Sequence, residues 1–167
     1  MIAQLLGILL FPALMAFAAS SDLLTMTIPN RVCLVVIAGF VLLAIIMNIP
    51  LAQVGMHLAA ALLVLVITFG FFSRGWIGGG DAKLAAATAL WFGFGHLLEY
   101  SLYASLIGGA LTLLILQFRL LALPPFLASQ QWVVHLHQKD TGIPYGIALA
   151  IAALLVYPHT FWMNAAA

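Results

Sequence analysis

Charge is what this sequence has least of. Four acidic and five Lys or Arg side chains in 167 residues leave 5% of the chain charged, against about a quarter in an ordinary globular domain. The net charge of +1 lacks the basic surface that grips a phosphate backbone, so no nucleic-acid partner is expected. One cysteine, Cys33, lies inside an apolar run; that excludes a disulfide framework and a cysteine-based zinc site. No metal and no organic cofactor is expected. Low-complexity segments and a convincing internal repeat are missing too.

What fills the chain is apolar surface. Two thirds of it (66%) is hydrophobic, with a mean hydropathy of +1.23. A soluble domain of this size has nowhere to bury that much. The runs are long enough to cross a bilayer, which takes about 20 residues per helix. The expected fold is all-α: a single membrane-embedded domain over residues 1–167 with about six transmembrane helices, near 3–20, 30–48, 53–73, 81–98, 101–121 and 143–163. Pro29, Pro50, Pro124-Pro125 and Pro144 fall at or near predicted ends, where a missing N–H does least harm. The one long connection, residues 123–142, carries Trp132, His135, His137 and Lys139 and reads as interfacial.

The basic residues orient these spans. Arg31, Arg74, Lys83, Arg119 and Lys139 flank the first, third and fifth connections, and the second and fourth have none. The positive-inside rule makes the charged side cytoplasmic, with both termini outward. Residues 16–20 (Ala-Phe-Ala-Ala-Ser) imitate a signal-peptidase site, but no Lys or Arg precedes Arg31, so the first helix is expected to be retained.

Against this background Asp22 and Asp81 stand out. Each is placed where a span meets water on the cytoplasmic side, and ionisable groups there are costly enough to suggest function. Two carboxylates held close cannot both ionise, so they share a proton and offer one acid and one base. Such a pair can hydrolyse a peptide bond. Gly78-Gly79-Gly80 precede Asp81; glycines there would admit a substrate backbone and unusual backbone angles, and Asp81 would open a helix at the positive end of its dipole. Either aspartate alone would equally serve as a helix N-cap, Asp22 for the turn before Ile28-Pro29-Asn30, and the glycines alone as a flexible turn.

Three blocks together resemble a known family. Asp22 followed by Ile28-Pro29-Asn30, the run Gly78-Gly79-Gly80-Asp81-Ala82-Lys83-Leu84, and Pro144-Tyr145-Gly146 are similar, in order, to the signatures of the type IV prepilin peptidases. The resemblance implies a membrane aspartic endopeptidase of the bacterial inner membrane with Asp22 and Asp81 as its catalytic pair. It implies a prepilin or pseudopilin substrate, whose short basic leader is cut at the cytoplasmic boundary while its hydrophobic helix stays in lipid. Gly78, Gly80, Pro29, Asn30 and Lys83 would shape the loops, with Lys83 doubling as an interfacial anchor. Larger members carry a cytoplasmic insertion with paired cysteines and also N-methylate the product. This chain has only about ten residues there and no such cysteines, so it resembles the short, peptidase-only branch serving Flp-type pili, and methyltransferase activity is not expected.

The other polar residues point elsewhere. Glu99 falls on the opposite side of the membrane; His57 reads as a residue near a helix end. His135 and His137 lack a third ligand nearby and fit a wet interfacial loop. Pro144 and Tyr145 shape the last helix, and Gly108-Gly109 suits close helix packing. Two noncatalytic alternatives remain, a proton-coupled transporter loading protons on the aspartates and a pilus-assembly scaffold. The oligomeric state is not legible.

Overall fold

In lipid every backbone N–H and C=O must be satisfied within the chain, so apolar runs fold as helices. A computed structural model describes the backbone of residues 2–164 and the side chains of residues 7–163. Its helices are α1 (Ile2–Thr25), α2 (Asn30–Ile46), α3 (Leu51–Ser73), α4 (Gly79–Phe118), α5 (Gln131–His137), α6 (Tyr145–Val156) and α7 (Phe161–Asn164), with a 3₁₀ turn at Tyr157–His159 between the last two. The described residues contain no strand, so the all-α expectation holds.

The ends follow local chemistry. Pro29, Pro50 and Pro144 each stand immediately before a helix, where their fixed φ starts it and their missing N–H costs nothing. Met26, Asn48 and Gly75 follow α1, α2 and α3 with φ of 52°, 51° and 73°, the left-handed conformation that commonly stops a helix.

Three helical segments are long and apolar enough to span a membrane: Gly7–Thr25, Leu51–Ser73 and Gly79–Phe118. Asn30–Ile46 and Tyr145–His159 are apolar but shorter. These lengths do not confirm a count of six full-length spans, and two boundaries differ from expectation. The break between the fourth and fifth segments lies at Gly93 (φ 56°, ψ −167°) rather than near residue 100. There α4 folds back on itself, since Asp81 and Ala85 of its first arm line the same cavity as Ala104, Gly108 and Thr112 of its second. The last span ends early because Pro158, in the 3₁₀ turn, cannot continue the helix. The long connection contains the short helix α5.

The fold-back at Gly93 releases carbonyls at the end of the first arm, and side chains cap them. His57 Nδ1 lies 2.7 Å from the Leu90 carbonyl, and Trp162 Nε1 donates to the Trp91 carbonyl at 2.6 Å. His57 thus sits two turns inside α3 and caps its neighbour. The Trp91 indole donates in turn to the Val36 carbonyl at 3.0 Å, and the Tyr157 hydroxyl to the Gly7 carbonyl.

These rings form the core. Phe11 stacks on Tyr157 (4.5 Å between centroids) and tilts against Trp91 (4.9 Å), which meets Trp162 at 5.1 Å. Such packing matters more than burial as such, because lipid is as apolar as the core. The outward faces stay hydrophobic: Leu51, Leu62, Val66 and Phe69 of α3 are exposed. Glu99, near the Gly93 end, lies 3.5 Å from His96 and 3.4 Å from His159.

Candidate active site

Opposite the Gly93 end, two helices deliver the two aspartates. Asp81 is the third residue of α4, and its Oδ2 accepts the N–H of Gly78 at 3.1 Å, closing the first turn. Asp22 lies inside the last turns of α1, so it is not the N-cap of the helix that follows, whose N-cap is Pro29. Its Oδ2 accepts instead the N–H of Gly146 at 2.7 Å, from 124 positions along the chain. Gly146 is the second residue of α6, where N–H groups have no partner within the helix and the dipole is positive.

The same amide lies near Asp81, which is also close enough to Asp22 to feel its charge. Both carboxylates are buried, at 4% and 9% exposure. Only backbone N–H groups bond them among the described residues; no side chain does. Two helix N-termini, those of α4 and α6, therefore point at one acidic pair.

Ile28 holds the arrangement together. Buried at 7% exposure, it lies between the turn after Asp22 and the loop before Asp81. A Cβ on Gly80 would meet the Ile28 Cβ at 3.1 Å, and one on Gly146 would meet its Cδ1 at 2.7 Å. The turn that carries it is pinned locally. Ser21 Oγ donates to the Thr27 carbonyl at 3.0 Å and Thr25 Oγ1 to the Ser21 carbonyl at 2.8 Å. Met26 holds a left-handed φ of 52°, a strain of roughly 1–2 kcal/mol for a residue with a side chain.

The glycines before Asp81 act differently from the sequence expectation. A Cβ on Gly78 would stand 2.9 Å from Asp81 Oδ2, and one on Gly79 would stand 3.2 Å from Phe72 Cε2. What approaches them is the protein itself rather than open space for a substrate. Gly78 has an ordinary extended backbone (φ −71°, ψ 149°); the left-handed glycine of this connection is Gly75.

Of the other expected site residues, Pro29 precedes α2 and Asn30 is its first residue. Lys83 Nζ donates to Asn30 Oδ1 at 2.9 Å, which ties the turn after Asp22 to the first arm of α4 without contacting either carboxylate. Beside Asp81, a cavity of about 650 Å³ opens between α3, both arms of α4 and α6, and Tyr145 lines it. Tyr145 Oη lies 3.1 Å from Thr112 Oγ1.

Two contributors escaped the sequence reading. Gly146 was visible only as part of Pro-Tyr-Gly, with nothing to say that its N–H meets Asp22. Arg119 read as a topological charge, yet it is buried at 8% exposure. Its guanidinium donates to the carbonyls of Leu136 (2.9 Å), Thr141 (3.1 Å) and Gly142 (2.9 Å) and to Thr141 Oγ1 (3.0 Å), fastening the segment that leads into Gly146. His137 Nε2 sits 2.9 Å from the Leu121 carbonyl in the same segment.

Compared with known protein families, residues 9–113 match the model of the type IV leader peptidase family. The matched stretch contains Asp22, Ile28-Pro29-Asn30 and the Gly78–Lys83 run. No curated protein and no solved structure matches the chain.

Proposed function

The chain belongs to the type IV leader peptidase family, and from that premise we propose that Asp22 and Asp81 are the acid–base pair of an aspartic endopeptidase. The observation that carries the proposal is their convergence: two buried carboxylates from separate helices, Asp22 on the Gly146 amide and Asp81 on the Gly78 amide, lie close enough to interact, and no cationic side chain bonds either.

The chemistry follows from that arrangement. The pair shares one proton. The ionised member takes a proton from a water whose oxygen attacks the scissile carbonyl carbon. The protonated member hydrogen-bonds the carbonyl oxygen as it becomes tetrahedral. Collapse breaks the C–N bond, the amine leaves with a proton supplied by the pair, and the carboxyl product forms. A lipid-bound substrate reaches the pair already oriented, which lowers the entropic cost of alignment.

The substrate is a prepilin or pseudopilin of the Flp type, cut between its basic leader and its hydrophobic helix. Support for the short branch comes from the connection between α1 and α2, which is shorter than the sequence implied. α1 ends at Thr25 and α2 starts at Asn30, which leaves no cytoplasmic insertion between them, and N-methylation of the product is not expected. The site faces the cytoplasm of the inner membrane, with both termini outward. In its favour, Arg31, Arg74 and Lys83 all adjoin the aspartate end in sequence, and Arg119 is fastened to the segment entering α6.

The experiment compares wild type, Asp22→Asn and Asp81→Asn in membranes containing an Flp-type prepilin, at matched levels of inserted protein. Asparagine keeps the size but cannot ionise. Each variant is expected to lose about a hundred- to ten-thousand-fold in cleavage rate, the usual worth of a positioned acid or base. Wild-type rates in either variant would remove that aspartate from the chemistry.

A further inference from the structure

We propose that the cavity beside Asp81, walled by α3, both arms of α4 and α6, is the seat of the substrate's hydrophobic helix. The inference rests on the peptidase reading above and names the surface that reading leaves unassigned.

The cavity holds about 650 Å³ and is lined almost entirely by apolar groups, with Asp81 as its acidic residue. Ala104-Ser105, Gly108-Gly109 and Thr112-Leu113 occupy successive turns on one wall, with Thr68 facing from α3. Small side chains at that spacing let a second helix backbone come close, the main source of helix association in lipid. At Gly109 the space is open: a Cβ there would find no protein atom within 4 Å. Leu113 is 63% exposed, so the trough opens sideways toward lipid rather than into a sealed interior.

Asp81 is what makes the occupant a polypeptide. No side chain satisfies its carboxylate, and it is the member of the pair that this cavity reaches. A helix lying in the trough brings its own end to that carboxylate, whereas a phospholipid acyl chain would fill the same volume and offer Asp81 nothing. The second apolar groove, of about 500 Å³ between α2, α3 and the first arm of α4, has Asn30 and Lys83 as its polar residues and includes neither aspartate.

A photo-crosslinking amino acid is placed at Leu113 or, for the second groove, at Leu62, in the full chain carrying Asp81→Asn so that bound substrate is not consumed. The probe is a prepilin with a basic leader and a hydrophobic helix, in native membranes. Crosslinks to the prepilin from position 113 and not from 62 are expected. Crosslinks from 62 alone, or lipid adducts alone at 113, overturn the assignment. In parallel, Gly109→Leu, whose Cβ meets no protein atom within 4 Å and whose longer side chain fills the trough, is expected to raise KM about tenfold more than it lowers kcat; a wild-type KM overturns it. The crosslinks are read on chains that keep Gly109, so poor folding of that variant leaves the question decided. Failure of wild type to cut the prepilin would remove the peptidase reading and this inference with it. Cleavage by wild type with crosslinks elsewhere would remove only the seat.

Discussion

Replacing Gly146 by alanine tests how the aspartates are held. The added Cβ would stand 2.7 Å from Asp22 Oδ2, 3.0 Å from Asp22 Cγ and 2.7 Å from Ile28 Cδ1. A comfortable C···O contact is about 3.3 Å, so the carboxylate must retreat by about 0.6 Å. The bond it leaves, from the Gly146 N–H, is 2.7 Å long. A retreat of that size takes it to or past the useful limit of about 3.2 Å. A hydrogen bond to a charged group contributes about 1.5–3 kcal/mol, which sets the expected loss of stability near 2 kcal/mol. A misplacement approaching 1 Å at a reacting group costs about a hundredfold in rate, so kcat is expected to fall by about ten- to a hundredfold. Both are measurable on detergent-solubilised protein, one as prepilin cleavage and the other as the thermal unfolding midpoint. Gly55→Ala supplies the comparison: it lies in α3 with open space around its Cβ, and alanine there should stabilise by about 0.5–1 kcal/mol. Wild-type kcat and midpoint in Gly146→Ala would mean that this amide does not position Asp22.

Two further outcomes test the frame around the site. Gly93→Ala forces a side chain into a backbone conformation that essentially only glycine adopts, and its Cβ would meet His57 Cε1 at 3.1 Å; the expected cost is about 1–3 kcal/mol, seen as a lower unfolding midpoint. Gly95→Ala, with nothing within 4 Å, should cause no comparable drop, and equal midpoints would refute the fold-back as a strained point. Arg119→Lys should recover little of what Arg119→Met loses, because an ammonium cannot span four acceptors that a planar guanidinium reaches together. Limited proteolysis between residues 120 and 144 reads this directly: full protection in the lysine variant would show that charge alone, without the fork, holds the segment.

The sequence made the two aspartates visible because charge is so scarce that each one had to be explained. Helix type was legible for the same reason that lipid forbids other backbones. What stayed hidden was direction. Hydropathy weighs a window without knowing where the chain turns. Gly93 and Gly95 look alike in Trp91-Phe92-Gly93-Phe94-Gly95, yet only Gly93 takes a positive φ. Pro158 was visible but lay inside an apolar stretch long enough to read as one span. Gly146 carried no local signal at all, since its partner Asp22 is 124 positions away. Glycines that pack against Ile28, Phe72 and Asp81 cannot be told, from sequence, from glycines left open for a substrate.

The way the cations are used leaves the acidic pair without a cationic partner, as the proposed chemistry would need. Arg119 spends its guanidinium on carbonyl and hydroxyl oxygens, Lys83 its ammonium on Asn30, and Arg74 lies 5.4 Å over the ring of Trp76. None hydrogen-bonds Asp22 or Asp81. A buried aspartate locked to an arginine would be held as a fixed acceptor, and moving its proton would strand a buried charge. Here the balancing charge comes from backbone N–H groups at two helix starts, which carry only partial charge. These donors hold both carboxylates in place and leave neither locked to a full positive charge. On the proposed reading, that freedom is what acid–base exchange across a peptide bond would require, and it depends on glycine at position 146, where any side chain would crowd the oxygen that the amide binds.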